Sequence, residues 1–402
     1  MKTQTRMTTT IPIKATPEYY CNEKFRYLSI DISRLTQSSC CAAKDSKIDI
    51  EWVKHNPGNL FNSPVFRQDR MMMLSGQAPD SCQTVCWVAE KQGQISRRLA
   101  RKSNEFTHEQ PDVEVENINL LLSDECNLTC VYCCKTFSTA WQSDLQKNGG
   151  YLSDWQDDRF KITTRDLLLS KVSQQDTMQS GPAQAILTEV VTMSYNPNFK
   201  SITMLGGEPF LNNALLSVID KINPDSEKLI YTGLGVDTKR FTKMVQQLAG
   251  VKKLKIVISA ESVGDLYEFV RHGNSWQRFQ DNLACLKQHN IDHEFSMTIT
   301  NLTFFGIKHF VNYVRSDRIN FTLCTDPDFL SLNVLDDRTK SQTHIWVDSL
   351  PASIRNVIEH NIQITPSEQN RRNLSDYLSE FSRRRGLSLE VFPNSFREWI
   401  MS

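Results

Sequence analysis

The chain has 402 residues, of which 39% are hydrophobic, and its 46 basic residues balance its 46 acidic residues. This length can form more than one domain, and the zero net charge gives no overall attraction to nucleic acid or to an anionic membrane. No segment approaches the roughly 18 consecutive apolar residues that a membrane-spanning helix needs, and Met1 to Tyr20 lacks the apolar segment of a secretory signal. We therefore expect a cytoplasmic protein that binds neither nucleic acid nor a membrane.

Eleven cysteines occur in clusters, which in a reducing compartment favours metal or redox chemistry over a disulfide framework. In the N-terminal hundred residues, alternating apolar residues from Phe25 to Ile32 predict a strand and hairpin with cysteines at both ends, and a helix is predicted over 63–74. A CxxxC pair follows that helix. The pattern supplies four ligands for one closed site: Cys21, Cys40 or Cys41, Cys82 and Cys86. The residue types alone fit structural zinc slightly better than iron–sulfur, although both accept four thiolates.

A polar segment from Lys102 to Pro111 is expected to link this region to the next. Beyond it, apolar strands predicted over 118–122, 201–205, 228–232, 255–259, 294–300 and 320–323 alternate with helical patterns. Strands joined by helices form a parallel sheet, because right-handed crossovers place each helix on the face of the sheet. We predict the α/β class, with ligands at the carboxyl ends of the strands.

The first of these strands leads directly into a loop with a CxxxCxxC spacing, formed by Cys126, Cys130 and Cys133. A [4Fe–4S] cluster normally takes four cysteine ligands, one for each iron. Three thiolates would leave one iron open to a substrate or cofactor. The adjacent Cys134 can complete a set of four, which would instead fit a zinc site.

Two further strands end in polar turns. After the second strand, Gly206 and Gly207 let the backbone approach a ligand, and the Glu208 carboxylate can accept a hydrogen bond from an ammonium group. After the fourth strand, Ser259 and Glu261 supply a hydroxyl and an acid that suit a ribose. Both turns are predicted to lie at the ligand-binding edge of the sheet.

Two more polar residues extend this set. Arg271 can pair with a carboxylate of a ligand, or with Glu268 as a surface pair on a helix. Asn301 places an amide at the end of the fifth strand. The order of these residues along the chain, each after a strand, is the main evidence for one shared site.

The central region, roughly Val115 to Cys324, resembles the radical S-adenosylmethionine (SAM) enzymes through its cysteine motif with Tyr132, its Gly-Gly-Glu-Pro turn and the polar residues that follow. The resemblance implies a partial (β/α)6 TIM-like barrel over 111–330. It also implies that the three loop cysteines hold a [4Fe–4S] cluster whose open iron binds SAM. The implied SAM contacts are Gly206, Gly207 and Glu208 for the methionine amine, Ser259 and Glu261 for the ribose, Arg271 for the carboxylate and Asn301 near the cofactor.

The region over 1–110 resembles the twitch form of the SPASM auxiliary-cluster domain, placed before the barrel. The resemblance rests on the cysteine pair after the hairpin, the later pair followed by Trp87, and the segment Glu90…Gly93…Ser96-Arg97. It implies a second [4Fe–4S] cluster instead of zinc.

These resemblances imply a radical SAM oxidoreductase or modifying enzyme that forms a 5′-deoxyadenosyl radical and takes a hydrogen atom from its substrate. A flavodoxin or ferredoxin would supply the electron. Auxiliary-cluster members mostly modify peptides, so a peptide or protein residue is the expected substrate, although no leader-peptide recognition domain is visible in the N-terminal hundred residues. The alternatives are a radical dehydrogenase or mutase acting on a small molecule, and a non-catalytic zinc-binding protein.

A helical extension is predicted over 331–402. Leu374, Tyr377, Leu378 and Phe381 form an apolar stripe that should end before Gly386. The aromatic residues over 387–399 are expected to pack on the barrel.

Overall fold

The computed structural model describes residues 17–40, 43–91, 96–100, 106–151, 180–315, 318–348, 350 and 352–402. They form two compact units. The first unit comprises the described residues of Met1–Ile30, Leu35–Asn119 and Thr188–Lys200, and the second those of Asp31–Arg34, Leu120–Leu187 and Ser201–Ser402. The predicted division into three domains at 110 and 330 stays a prediction. None of the described helices is long and apolar enough to cross a membrane.

The N-terminal elements are short. They are α1 (Glu23–Arg26), β1 (Tyr27–Asp31), β2 (Thr36–Ser38), β3 (Ser46–Lys47), α2 (Ile50–His55), α3 (Pro64–Leu74), α4 (Val88–Lys91) and α5 (Arg97–Ala100), with 3-10 turns at Leu60–Asn62 and Asp80–Cys82 and a π-helical turn at Gln83–Trp87. The predicted helix over 63–74 is confirmed, and Pro64 suits its first position because the ring fixes a helical φ. The predicted start of the first strand is wrong: Phe25 lies in α1, and the strand begins at Tyr27.

A parallel sheet forms the centre of the second unit. Its strands are β4 (Asn117–Leu121), β6 (Ser201–Leu205), β7 (Glu227–Thr232), β8 (Leu254–Ser259), β10 (His293–Ile299) and β11 (Ile319–Leu323), ordered β4-β6-β7-β8-β10-β11. The pairs β6–β7, β7–β8, β8–β10 and β10–β11 are parallel. The predicted α/β class and parallel sheet are confirmed, with every strand boundary within about one residue.

Helices connect these strands. They are α6 (Thr139–Asn148), α7 (Gly181–Met193), α8 (Ala214–Ile219), α9 (Thr238–Leu248), α10 (Gly264–Val270), α11 (Trp276–Gln288) and α12 (Ile307–Val314), with 3-10 turns at Pro209–Leu211 and Phe304–Gly306. Local sequence signals explain where they begin. The Asp237 side chain accepts hydrogen bonds from the first backbone N–H groups of α9, and Ser275 caps α11 in the same way.

The chain ends in helices α13 (Asp337–Gln342), α14 (His344–Val347), α15 (Ala352–Ile362), α16 (Glu368–Arg385) and α17 (Asn394–Met401), with 3-10 turns at Asp328–Leu330 and Leu389–Val391. The predicted stripe is buried on α16, which ends at Gly386 in the left-handed conformation. The ring centroid of Phe392 lies 5.0 Å from that of Phe269, and Phe396 lies 5.1 Å from Phe305. The aromatic C-terminal segment therefore packs on the barrel region, as predicted.

Candidate cluster and cofactor site

The loop between β4 and α6 carries the CxxxCxxC cysteines, and two neighbouring elements fix its first half. The backbone N–H of Gly207 donates to Ser123 at 2.8 Å, and that of Glu208 donates to Glu125 at 2.7 Å. At the other side, the backbone N–H of Cys126 donates to the Thr139 hydroxyl at 3.0 Å. The turn after β6 and the start of α6 therefore both determine the position of Cys126.

The second half of the loop forms β5 (Thr129–Cys130), which pairs antiparallel with β9 (Arg271–His272), so that Cys130 lies opposite Arg271. The indole N–H of Trp141 donates to the Cys130 carbonyl at 3.1 Å. The Tyr377 hydroxyl donates to the Val131 carbonyl at 2.6 Å. The C-terminal helix α16 thus supports the loop directly.

The three thiols lie in a desolvated environment. Cys130 is buried, whereas Cys126 and Cys133 are partly exposed. Desolvation raises the pKa of Cys126 to about 12 and that of Cys130 to about 11. The pKa of Cys133 rises well above its usual range, first through desolvation and then through repulsion from the Cys134, Cys130 and Cys126 thiols. Thiolates here need a positive partner, which a metal centre supplies.

Among the described residues, no three His, Cys, Asp or Glu side chains form a group that could hold one metal ion. A [4Fe–4S] cluster does not require such close convergence, because each cysteine binds a different iron. Three thiols that share a short loop and interact electrostatically have the donor chemistry for this cluster. The residues present therefore fit the group.

The two glycines after β6 pack against the cysteine loop. A Cβ atom added at Gly207 would lie 2.2 Å from the Glu125 carbonyl oxygen, and one at Gly206, where φ is 125°, would lie 2.4 Å from the Ser123 oxygen. Only residues without a side chain allow the turn to approach the loop this closely. Contact with the loop is thus sufficient reason for both glycines, and their predicted contact with SAM stays a prediction.

The Glu208 side chain is buried and points toward the end of β7. It accepts hydrogen bonds from the Thr232 hydroxyl at 2.9 Å, the Gly233 backbone N–H at 3.0 Å and the Phe210 backbone N–H at 3.2 Å. Burial raises the pKa of this carboxyl, and those hydrogen bonds oppose the rise. The carboxylate therefore joins the second and third strand ends of the parallel sheet.

Glu261, Arg271 and Tyr132 form a network beside Cys130. The Arg271 Nε donates to Glu261 Oε2 at 2.9 Å and its Nη2 to Oε1 at 2.7 Å; Nη2 also donates to the Tyr132 hydroxyl. The Nη1 atom lies 3.9 Å from Cys130 Sγ. The alternative pairing of Arg271 with Glu268 on a helix surface is wrong, because Arg271 is buried in β9 and pairs with Glu261.

The remaining predicted residues have different surroundings. Ser259 ends β8 and is partly exposed. Asn301 is buried, and its Nδ2 donates to the backbone carbonyls of Phe329 at 2.9 Å and Val334 at 3.2 Å. Its Oδ1 is a buried atom without a hydrogen-bond partner among the described residues. The roles predicted for both residues toward SAM stay predictions.

The loop after β7 also belongs to this site, although no role was predicted for it. Thr232 and Gly233 bind Glu208, and Asn274 Nδ2 donates to the Gly233 and Leu234 carbonyls at 3.3 Å. The available signal was a threonine at the end of a predicted strand, followed directly by a glycine. The contribution of Asn274 had no sequence signal, because it follows β9 and reaches the loop only in three dimensions.

Four of the five N-terminal candidate ligands are described, and Cys41 lies outside the described residues. Cys21 and Cys82 are buried, and Cys40 and Cys86 are partly exposed. Burial raises the pKa of Cys21 to about 12, and repulsion from Cys40 and Cys82 adds to the rise. The thiols at the two ends of the hairpin and in the later pair are therefore near enough to interact.

Charged residues lie close to these cysteines. The Lys24 ammonium, whose side chain is 1% exposed, lies 2.6 Å from both the Asp69 carboxylate and the Ser81 hydroxyl. The Arg98 guanidinium pairs with Glu90 at 2.5 Å and lies 5.4 Å from the Trp87 ring centroid. In the segment Glu90…Gly93…Ser96-Arg97 identified in the sequence, the Ser96 hydroxyl donates to the Glu90 carboxylate, and so does the following Arg98; Gly93 lies outside the described residues.

Residues 120–315 match the family profile described as the Radical SAM superfamily. These residues are therefore similar to a radical SAM domain, and radical SAM proteins are enzymes. The superfamily uses a [4Fe–4S] cluster and SAM. No curated protein matches this chain.

Several solved structures are similar to this chain. "Native anSMEcpe with bound AdoMet" is 16% identical, with a TM-score of 0.37 over 58% of this chain and 60% of that chain. "Crystal structure of Streptococcus suis SuiB bound to precursor peptide SuiA" is 12% identical, with a TM-score of 0.34 over 88% of this chain and 77% of that chain. The chain thus spans about three fifths of the length of anSMEcpe.

Proposed function

We propose that this chain is a radical SAM enzyme that binds a [4Fe–4S] cluster through Cys126, Cys130 and Cys133 and abstracts a hydrogen atom from its substrate. The observation that carries the proposal is the position of these thiols on one loop at the carboxyl end of β4, within a matched radical SAM domain. When bound, the cluster would supply the electron that cleaves SAM to methionine and a 5′-deoxyadenosyl radical.

The protein's own residues position the cysteine loop. The turn at Gly206 and Gly207 fixes the first half of the cysteine loop, and β9 and Tyr377 fix the second half. In this proposal SAM lies at the same sheet edge. Its amine is bound near Gly206, Gly207 and Glu208 and its ribose near Ser259 and Glu261, with Asn301 close by. The buried Asn301 Oδ1 that lacks a partner among the described residues supports a polar group there.

We also propose a second [4Fe–4S] cluster at Cys21, Cys40 or Cys41, Cys82 and Cys86. Interaction among the Cys21, Cys40 and Cys82 thiols supports this site, as does the buried Lys24 ammonium close by. A positive charge favours retention of an anionic cluster in a buried environment. Four cysteine ligands leave no iron open, so this cluster would transfer electrons instead of binding the substrate.

The proposed substrate is a peptide or protein residue, because the family members with auxiliary clusters, which the N-terminal region resembles, mostly modify peptides. The proposed reductant is of the flavodoxin or ferredoxin class, since the reaction needs a low-potential electron. A small-molecule dehydrogenase or mutase and a non-catalytic zinc protein are distinguished from this proposal by the experiments below.

The main experiment is anaerobic reconstitution with iron and sulfide, followed by dithionite and SAM. We expect a brown protein that releases 5′-deoxyadenosine, and we expect Cys130→Ala to abolish the release. Cys285→Ala is the matched control, because Cys285 is also buried but lies on α11. Cys134→Ala should keep its iron. A colourless protein that binds zinc and no iron would refute the radical mechanism and support the zinc-binding alternative.

Iron content tests the second cluster. We expect about eight irons per chain in the wild type and about four in the double variant Cys82→Ala/Cys86→Ala, because each [4Fe–4S] cluster contains four. The control is Cys285→Ala/Cys324→Ala, which should keep the wild-type content. An iron content that stays the same in the first double variant removes the auxiliary site. Transfer of deuterium from a labelled peptide or small molecule into 5′-deoxyadenosine identifies the substrate class.

A further inference from the structure

We propose that Arg271 is a positioning residue for the cluster, whose guanidinium stabilises the Cys130 thiolate and the reduced state of the iron centre. This inference rests on the cluster proposed above at Cys126, Cys130 and Cys133. It differs from the predicted role of Arg271 as a clamp for the SAM carboxylate. The evidence is the distribution of the hydrogen bonds that the guanidinium makes.

A guanidinium group has five N–H donors in a planar fork. In Arg271, Nε binds Glu261, and Nη2 binds both Glu261 and the Tyr132 hydroxyl. One N–H of Nη1 faces Cys130 Sγ at 3.9 Å. One donor remains, and a bidentate contact with a carboxylate needs two parallel donors. The geometry therefore favours the sulfur over a ligand carboxylate as the main target of the Nη1 end.

The ion pair has a fixed orientation. The side chains of Arg271 and Glu261 are 5% and 1% exposed, and Glu261 also accepts the Thr298 backbone N–H at 3.3 Å. Both Glu261 oxygens lie on the Nε and Nη2 side of the guanidinium. The positive end of this buried dipole consequently faces Cys130, where solvent does not screen it effectively.

Gly233 leaves space for this arrangement. A Cβ atom at this position would lie 3.2 Å from Arg271 Nη1 and 3.3 Å from a Leu128 methyl group. The end of β7 thus allows the guanidinium to reach the sulfur. Hydrogen bonds and positive charge near cluster sulfurs favour the reduced state, because reduction adds one negative charge to the cluster.

The test is the reduction potential of the cluster whose electron paramagnetic resonance spectrum changes when SAM is added. For Arg271→Gln we expect the ratio of reduced to oxidised cluster at a fixed potential to fall about tenfold, a shift of ~59 mV for one electron. Arg271→Lys keeps the charge and should stay near the wild type. Glu261→Gln removes the negative end of the dipole and should shift the potential in the opposite direction.

Opposite shifts in Arg271→Gln and Glu261→Gln support the proposal. If Arg271→Gln does not fold, a positive shift of the reduction potential in a folded Glu261→Gln chain still supports the proposal. An unchanged potential in Glu261→Gln overturns it. An unchanged potential in Arg271→Gln together with weaker SAM binding overturns it in favour of the carboxylate role. A wild-type chain that forms no SAM-responsive cluster refutes the proposed function itself, and this inference with it.

Discussion

Replacing Gly207 by alanine tests whether the glycine turn fixes the cysteine loop. The added Cβ would lie 2.2 Å from the Glu125 carbonyl oxygen, a backbone atom that can move only if the loop moves. The two hydrogen bonds between turn and loop, from Gly207 to Ser123 and from Glu208 to Glu125, would then be lost. At ~1 kcal/mol for each hydrogen bond and about 1–3 kcal/mol for overpacking, we expect the free energy of unfolding to fall by about 3–5 kcal/mol.

Denaturation by urea and anaerobic iron analysis measure this effect, because displacement of Cys126 should also lower the iron content. Gly181→Ala is the matched control: its added Cβ has no atom within 4 Å, and Gly181 begins α7. The same test applies to Gly206→Ala, where the glycine has a positive φ. Its control is Gly250→Ala, because Gly250 has φ 96° and an added Cβ there would have open space around it. If Gly207→Ala is as stable as Gly181→Ala and keeps its iron, the turn does not position the loop.

Three further predictions follow from other contacts of the structure. Tyr377→Phe removes the hydrogen bond to Val131 and should lower the free energy of unfolding by about 1 kcal/mol, with faster loss of iron to a chelator; equal loss rates would contradict a supporting role. Lys24→Met leaves the Asp69 carboxylate without its ion pair and should cost about 3 kcal/mol in urea denaturation, whereas a stability equal to the wild type would show that the pair contributes little. Hydrogen bonds from Arg383 and Arg384 lower the pKa of Glu380 to about 2. The wild type should therefore be more stable than Glu380→Gln, with the full difference above the unfolded pKa of about 4.3 and a loss of that difference as the pH falls toward 2. A difference in thermal midpoint that does not change with pH would contradict this.

The positions of the strands along the chain and the identity of the cysteine loop were predictable from local patterns. Buried parallel strands are short apolar runs, and the run before Cys126 was recognised within one residue of its observed ends. The spacing of Cys126, Cys130 and Cys133 is likewise a property of adjacent residues. Near the N-terminus the same reasoning was less accurate, because Phe25 alternates with its neighbours as in a strand but lies in a single helical turn.

The hydrogen-bond partners of the polar residues were not predictable. Arg271 and Glu268 have the spacing of a helical surface pair, yet α10 ends at Val270, and the guanidinium turns inward to Glu261 and Cys130. Gly207 was expected to approach a ligand, and the observed close approach is to the backbone of Glu125. The contacts of Arg271 with Cys130 and of Gly207 with Glu125 join residues that are far apart in the chain.

The sequence by itself determined the α/β class, the position of each strand and the residues that follow the strands, because these depend on hydrophobic period and local turn chemistry. The tertiary structure decided which of those residues contact one another. Parallel pairing brings the carboxyl ends of β6, β7 and β8 to one edge, and only there do Glu208 and Thr232, and Glu261 and Arg271, come within hydrogen-bonding distance. The contact of Tyr377 with Val131 likewise depends on how α16 packs, and no local sequence pattern indicates which residue Tyr377 contacts.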